Sequence, residues 1–340
     1  MPNKFPFCVV LDSNVWVTEH LLQTTIGSAA LFAVSAGQAL IAVPEIVELE
    51  VENILIQFGE KAVDDIRKSI ALLKHLSGNQ MLSFMAPNHE AIQKGMRARW
   101  AQLDGVIQRV AFTHDHARSA LRRIITKSPP SGDNNEQFRD CCIWEATLEV
   151  AEGGPVHLIT NDAAFYEGRD RGRGLARQLE EEVRDKKREV NIYSKIQDFL
   201  SMKKDFIAML DTDVLAAKIM QAVLPAAREI VAMENDKGRN NFVLGQPLPP
   251  RIQGFATPKP TVFAVSFEII FPLQNIAPKR NDATLELEGT CSYVQNQDEV
   301  AEIDVNAWSV SLTGSDISIS TGWHRPERLG EFYSNIRFVK

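Results

Sequence analysis

The sequence predicts an α/β protein: a parallel sheet wrapped by helices, followed by a C-terminal antiparallel β domain. Over the first 200 residues, short apolar runs alternate with segments of helical periodicity, and such alternation is typical of a helix-covered parallel sheet. Beyond residue 260, short β-type runs separated by turns replace the helical period. We therefore expect a helix-wrapped domain at 1–200 with a helical insert at about 61–130, a helical segment and linker at 201–260, and a small β domain at 261–340.

The first predicted strand and its successors are short and apolar. Phe7 to Leu11 is an apolar run that fits a buried parallel strand. Thr24 to Val43 is the most apolar stretch, but Gly, Ser and Gln interrupt it. We interpret it as a helix followed by a buried strand, and not as a membrane span. Pro44 then starts a helix, as Pro commonly does in a first turn, and Gly59 is expected to follow its end.

The rest of the N-terminal half continues the alternation, and the C-terminal half changes its period. The predicted elements are helices at 61–76, 89–127 and up to about 151, a strand at 156–160, a helical region at 196–234 and a connection at 235–260. The predicted β domain consists of the runs TVFAVSFEIIF, TLELEGTCSYV, AWSVSLTG, DISISTGW and FYSNIRFV.

Composition narrows the classes of protein that fit. The net charge is -7, so the chain is not a general polyanion binder, and contact with nucleic acid would need a local basic patch or a metal ion. The four cysteines include no C-x-x-C pair, which argues against a zinc ribbon. The N-terminus lacks the pattern of a signal peptide. We expect a cytoplasmic protein that does not contact a membrane.

Two aspartates follow predicted strands. Asp12 ends the apolar run of VVLDSNVW, and Asp162 lies in HLITNDAAF after another strand. Because ligands of open parallel sheets bind outside the carboxyl ends of the strands, the two carboxylates would converge on one crevice. Taken singly, an aspartate at a strand end is more common as a turn residue.

Glu50 occupies an apolar row of the helix that Pro44 opens. At a spacing of four residues, the row contains Ile46, Glu50, Ile54 and Phe58. A carboxylate in such a row is costly unless it is paired or binds a cation. The alternative is a residue at the edge of the row whose carboxylate extends to solvent.

Asp140 adds a fourth carboxylate. In FRDCCIWEATLEV it shares a helix face with Ile143, Trp144 and Thr147. Four carboxylates directed at one point repel each other, and one or two Mg²⁺ or Mn²⁺ ions are the usual remedy. Such ions activate water against a phosphodiester. Ser13 or Asn14 would orient a carboxylate or the water.

These segments together resemble the PIN domain, a metal-dependent nuclease fold found in many toxin–antitoxin ribonucleases and related to the flap-endonuclease fold. VVLDSNVW resembles the family's first strand, VPEIVELEVE its P-x-x-V-x-x-E segment, FRDCCIWEATLE the helix with the third acid, and HLITNDAAF its T-N-D segment. The resemblance covers about residues 5 to 200, with a long helical insert before Asp140.

The resemblance implies a Mg²⁺- or Mn²⁺-dependent nuclease, with RNA expected ahead of DNA as substrate. Its implied catalytic and metal-binding residues are Asp12, Glu50, Asp140 and Asp162, and its supporting residues are Ser13, Asn14, Thr160 and Asn161. Many family members have a further acid two residues after the T-N-D aspartate. Ala164 stands there, which makes a complete second metal site doubtful.

Other interpretations stay open at the level of sequence. Arg169, Arg171 and Arg173 follow Asp162 and would guide a phosphate backbone, or would belong to an ordinary charged loop. The domain would alternatively be a non-cleaving module that binds nucleic acid or protein, or a nuclease that acts on DNA. A phosphatase with an aspartate nucleophile fits less well, because Asn14 replaces its second aspartate. Homo-oligomers, a regulatory protein partner, and a role as toxin, in phage defence or in RNA processing are equally compatible.

Overall fold

A five-stranded parallel sheet forms the centre of the N-terminal half. Its strands are β1 Cys8–Leu11, β2 Leu40–Pro44, β3 Ile107–Val110, β4 Val156–Ile159 and β5 Val190–Tyr193, and their spatial order is β3-β2-β1-β4-β5. Every residue of β1 and β4 is buried, because these strands lie in the interior of the sheet. The predicted parallel sheet is confirmed.

Eight helices accompany this sheet in the part of the chain that the structure describes. They are α1 Ser13–Thr18, α2 Thr25–Ala36, α3 Glu45–Ser77, α4 His89–Leu103, α5 His114–Thr126, α6 Phe138–Val150, α7 Arg177–Asp185 and α8 Ile196–Met202. The segment Thr24–Val43 forms α2 and β2, as predicted. Trp16, Trp144, Phe165 and Phe199 are among the largest fully buried side chains.

The structure is a computed structural model that describes residues 5–78, 84–132, 137–238, 240–277, 281–313 and, for the backbone, 318–323. It divides into two compact units, Met1–Lys203 and Lys204–Lys340. None of the helices within those described ranges combines the length and apolar character that a membrane span requires.

The predicted helix end at Gly59 is wrong. The helix α3 continues to Ser77, and Gly78, with φ +67°, takes the left-handed position after its end. Gly59 has a packing role instead, since a Cβ there would come within 3.0 Å of Ile92 Cδ1 on α4. The glycine therefore permits close approach of two helices.

The predicted single helix at 89–127 is also wrong, and the insert is not wholly helical. The strand β3 interrupts it and pairs with β2 at the edge of the sheet. Ile107 and Val110 are buried, whereas Gln108 and Arg109 between them are exposed. A four-residue strand is too short to outweigh the helical period on both sides of it.

The second unit packs one helix with an antiparallel sheet. The elements are β6 Ile207–Ala208, α9 Thr212–Asp236, β7 Phe242–Leu244, β8 Arg251–Ala256, β9 Val262–Asn275, β10 Ala283–Val294, β11 Glu299–Leu312 and β12 Ser318–Trp323. Ile219 and Ile230 of α9 share a buried cluster with Phe267, Phe271 and Leu285 of the sheet. The predicted antiparallel sheet is confirmed.

Two details of the second unit differ from the sequence prediction. The region 235–260, predicted as a connection, contains β7 and β8, because short strands amid Gly, Pro and Asn give a weak periodic signal. The predicted runs AWSVSLTG and DISISTGW correspond to the end of β11 and to β12. The run FYSNIRFV lies outside the described residues.

Candidate active site

The central pair of strands brings Asp12 and Asp162 to one edge of the sheet. In the parallel pairing of β1 with β4, Leu11 lies opposite Ile159, so both strands end at the same level. The Asp12 amide also donates a 3.0 Å hydrogen bond to the Ile159 carbonyl. Asp12 follows the first strand directly, and Asp162 follows the second after two residues.

Asp12 is a buried carboxylate held by three donors. Its Oδ1 accepts hydrogen bonds from the Ser13 amide at 2.6 Å and from Ser13 Oγ at 3.3 Å. Its Oδ2 accepts from Thr160 Oγ1 at 2.7 Å. Burial raises the pKa of Asp12, the hydrogen bonds oppose that effect, and the nearby charge of Asp162 adds to it. The hydrogen bonds therefore fix the orientation of the Asp12 side chain, but they do not fully offset the cost of burying its charge.

Thr160 connects the two aspartates. Its hydroxyl donates to Asp12 and accepts a 3.0 Å hydrogen bond from the Asp162 amide. The Tyr166 hydroxyl donates to the Thr160 carbonyl at 2.8 Å, and Thr160 is fully buried. One threonine thus fixes the position of both strand ends relative to each other.

Asp162 begins a short 3₁₀ turn. Its Oδ1 accepts from the Ala164 amide at 2.8 Å, and its Oδ2 accepts from Gln137 Nε2 at 3.2 Å. Ala164, which replaces the further acid of the resemblance, therefore contributes its backbone N–H to this aspartate. The half-buried carboxylate keeps a partly open face.

Asp140 lies in the first turn of α6, close enough to the two strand-end aspartates to interact with their charges. The pKa of Asp140 is raised to about 7, mostly by burial and further by the charges of Asp162 and Asp12, while the neighbouring Arg139 opposes the shift. The carboxylates of Asp12, Asp140 and Asp162 therefore lie close enough for their charges to interact.

Glu50 differs from the other three acids. Its side chain on α3 is 17% exposed and forms an ion pair with the guanidinium of Arg139, which is 63% exposed. The sequence predicted that an inward glutamate here would need a cation, and in this structure the arginine provides that charge.

The donor set fits a hard divalent cation in its chemistry. Asp12, Asp140 and Asp162 provide carboxylate oxygens. The pKa values of the first two are raised mainly by burial and further by the charges of neighbouring aspartates, and a bound cation would offset both effects. Within the described residues, no three His, Cys, Asp or Glu side chains are arranged to hold an ion. Binding therefore requires the side chains to adjust, most of all Glu50, which must leave Arg139.

The two polar residues after Asp12 have different surroundings. Ser13 is buried and donates to Asp12 through its amide and hydroxyl. Asn14 is exposed, and its backbone carbonyl accepts from Thr18 Oγ1 at 2.8 Å. Ser13 orients the aspartate, whereas the predicted role of Asn14 stays a prediction.

The three arginines after Asp162 make three different contacts. Arg171 donates from Nε and Nη2 to the Asn161 carbonyl at 2.9 and 2.7 Å. Arg173 pairs with Asp170 at 3.2 Å. Arg169 lines a cavity. Their predicted role in binding substrate stays a prediction, but the contacts show that the three are not equivalent.

Sequence reasoning missed Gln137, Arg139 and Tyr166. Gln137 and Tyr166 touch the site through Asp162 and Thr160, and Arg139 pairs with Glu50. Only Arg139 had a signal in the sequence, namely its position next to Asp140. The other two contacts depend on tertiary packing.

A comparison with known protein families identifies the fold that carries this site. The family model of the PIN domain matches residues 9–165. The N-terminal region is a PIN domain. PIN domains are usually nucleases that depend on divalent metal ions and act on nucleic acid. The match includes all four predicted acids of this PIN domain and does not extend into the second unit. No curated protein and no solved structure gave a significant match.

The Asp140→Asn variant tests the repulsion among the acids of the PIN domain. The pKa of Asp140 is about 7 in the folded chain, above the ordinary value of 3.8, so folding favours the protonated form. That stabilisation is complete below about pH 4 and is lost as the pH rises through 7. In EDTA at pH 8, we expect the variant to melt above the parent, by about 2–4 °C for each kcal/mol of repulsion removed.

The same comparison at pH 5 is the control. Asp140 is protonated in the parent at that pH, so the difference in melting temperature should shrink. An equal difference at pH 5 and pH 8, measured by differential scanning fluorimetry, would show that the gain has another cause.

Proposed function

We propose that the PIN domain is a Mg²⁺- or Mn²⁺-dependent endoribonuclease that hydrolyses phosphodiester bonds. The observation that carries the proposal is the convergence of Asp12, Asp140 and Asp162, in which the charges of the other two raise the pKa of Asp140. Glu50 is proposed as the fourth acid once it separates from Arg139.

The side chains around the acids have defined tasks in this proposal. Ser13 and Thr160 hold both oxygens of Asp12, so the carboxylate cannot rotate away. Gln137 and the Ala164 amide do the same for Asp162. One or two bound ions would supply activation of water and stabilisation of the charge on the leaving oxygen. The protein's contribution is thus two aspartates, Asp12 and Asp162, whose carboxylates are oriented before an ion binds.

The experiment that tests this function compares four labelled substrates. Single- and double-stranded RNA and DNA of one sequence are incubated with the full chain in Mn²⁺ or in EDTA. We expect cleavage of RNA in Mn²⁺ and none in EDTA. Cleavage that continues in EDTA would contradict a metal-dependent carboxylate site. Cleavage of DNA alone would mean that the substrate is DNA and not RNA.

A second candidate function is a non-cleaving module that binds nucleic acid or protein. The Glu50–Arg139 ion pair favours it, because it neutralises one acid without a metal ion. Calorimetric titration with Mn²⁺ distinguishes the two functions. The nuclease should bind Mn²⁺ in a way that Asp12→Asn and Asp140→Asn weaken, whereas the module should show no binding, or binding that these changes leave untouched.

A further inference from the structure

A cavity of about 530 Å³ is lined in part by Ala164, two residues after Asp162. Two segments line it, the loop 129–132 and parts of the stretch 164–178. We call it the proline–arginine cavity, because Pro129, Pro130, Arg169 and Arg177 line it. Its volume lies within the range of about 300–1,000 Å³ that is usual for sites of small organic ligands.

Two residues that line the cavity also form hydrogen bonds at the candidate active site. Ala164 lines the cavity, and its amide donates to Asp162. Tyr166 also lines it, and its hydroxyl donates to the carbonyl of Thr160, the residue that holds Asp12. A ligand in the cavity would therefore lie one short segment away from the carboxylates.

The residues that line the cavity offer two kinds of chemistry. Pro129 and Pro130 contribute apolar rings. Arg169 is exposed, and no carboxylate pairs with its guanidinium among the described residues. Arg177 is partly engaged, because its Nε lies 3.0 Å from Glu181 Oε1. Arg169 is thus the cation most available to an anionic ligand.

Polar groups in the cavity complete the match to a nucleotide. Ser131 and Gln178 line it and carry groups that donate and accept hydrogen bonds. Glu167 also lines it, and its Oε2 accepts from the Arg177 amide at 2.7 Å, which directs one carboxylate oxygen to the backbone. An apolar wall, an arginine and amide groups are the features that bind a base and its phosphate.

We propose that the proline–arginine cavity binds the unpaired nucleotide next to the scissile phosphodiester, with Arg169 on its phosphate and the base against Pro129 and Pro130. This inference rests on the proposed function and adds to it a nucleotide-binding subsite formed by this cavity. A base in a duplex is stacked and paired, so it cannot enter such a cavity without being extruded.

The matched pair Arg169→Ala and Arg173→Ala tests the proposal. Both arginines lie in one exposed loop and carry the same charge, but only Arg169 lines the cavity. With single-stranded RNA and Mn²⁺, we expect Arg169→Ala to raise KM about 10-fold with kcat almost unchanged, since a hydrogen bond to a charged group is worth about 1.5–3 kcal/mol. Arg173→Ala should change KM by less than about two-fold.

A binding measurement separates this proposal from the proposed function. The full-length Asp12→Asn protein is titrated in EDTA into a fluorescent single-stranded RNA and into its duplex, with and without Arg169→Ala. We expect preference for the single strand and loss of that preference with Arg169→Ala or with Gln178→Glu, which places a negative charge in the cavity. If this preference is observed but the parent does not cleave RNA, the proposed nuclease function is wrong and the cavity proposal stands.

Three results would overturn the cavity proposal even if the parent cleaves RNA. The first is an equal effect of Arg169→Ala and Arg173→Ala, which would indicate only a generally basic loop. The second is equal affinity for single strand and duplex. The third is an unchanged preference in the Gln178→Glu protein, which would place the nucleotide elsewhere.

Discussion

The Asp12→Asn variant is expected to lose RNA cleavage and to keep its fold. The substitution preserves the shape of the side chain but removes the negative charge. It also places an amide NH₂ where Asp12 now accepts hydrogen bonds from Thr160 or Ser13. Because a single group that stabilises the transition state commonly contributes about 10²–10³ in rate, we expect kcat to fall by about 10²–10³-fold.

The measurement uses labelled RNA with Mn²⁺, and the control removes a carboxylate elsewhere. Asp185, at the end of α7, is exposed, so Asp185→Asn lowers the negative charge by the same amount away from the site. It should cleave like the parent. A circular dichroism melt verifies that Asp12→Asn is folded. If that variant cuts RNA as fast as the parent, Asp12 is not part of the active site.

Replacing Thr160 by valine should give the next largest effect, on both activity and stability. The change keeps the size of the side chain but deprives Asp12 Oδ2 of its donor and the Asp162 amide of its acceptor. A buried polar group without a partner costs about 1–3 kcal/mol. Groups that orient metal-binding carboxylates typically contribute about 10–100-fold to metal affinity or activity, so we expect a loss in that range.

Thr147→Val is the matched control for Thr160→Val. Thr147 is also fully buried in the same unit, and its hydroxyl donates to the Ile143 carbonyl within α6. Both variants remove a buried hydroxyl, but only one touches the aspartates. Denaturant unfolding and Mn²⁺ calorimetry compare them. Equal Mn²⁺ affinity in the two variants would mean that Thr160 has a structural role alone.

The strand ends were predictable because the signal for them is local. Four apolar residues followed by an aspartate indicate a buried strand with a polar end, and the structure has this arrangement at Asp12. The order of the strands is a tertiary property, yet any parallel order that places β1 beside β4 brings Asp12 and Asp162 together. For that reason the sequence could predict their proximity without the complete topology.

The contacts between elements could not be predicted. The spacing of α3 indicated that Glu50 is costly unless it is paired or binds a cation, but only the packing of α3 near α6 shows that it pairs with Arg139. The two hydrogen bonds of the Thr160 side chain likewise join groups separated in sequence. The strand β3 was missed because two helical segments surround four residues.

The Glu50–Arg139 ion pair neutralises Glu50 within the polypeptide, so the chain can fold without a metal ion at this glutamate. In many small metal-binding domains the ion itself holds the ligands together, so a chelator unfolds the chain. Here the counter-ion of the glutamate is part of the polypeptide and cannot diffuse away. The chain should therefore survive purification in EDTA as a folded protein and be reconstituted by adding an ion afterwards. Divalent ions would then bind and exchange reversibly without being required for folding.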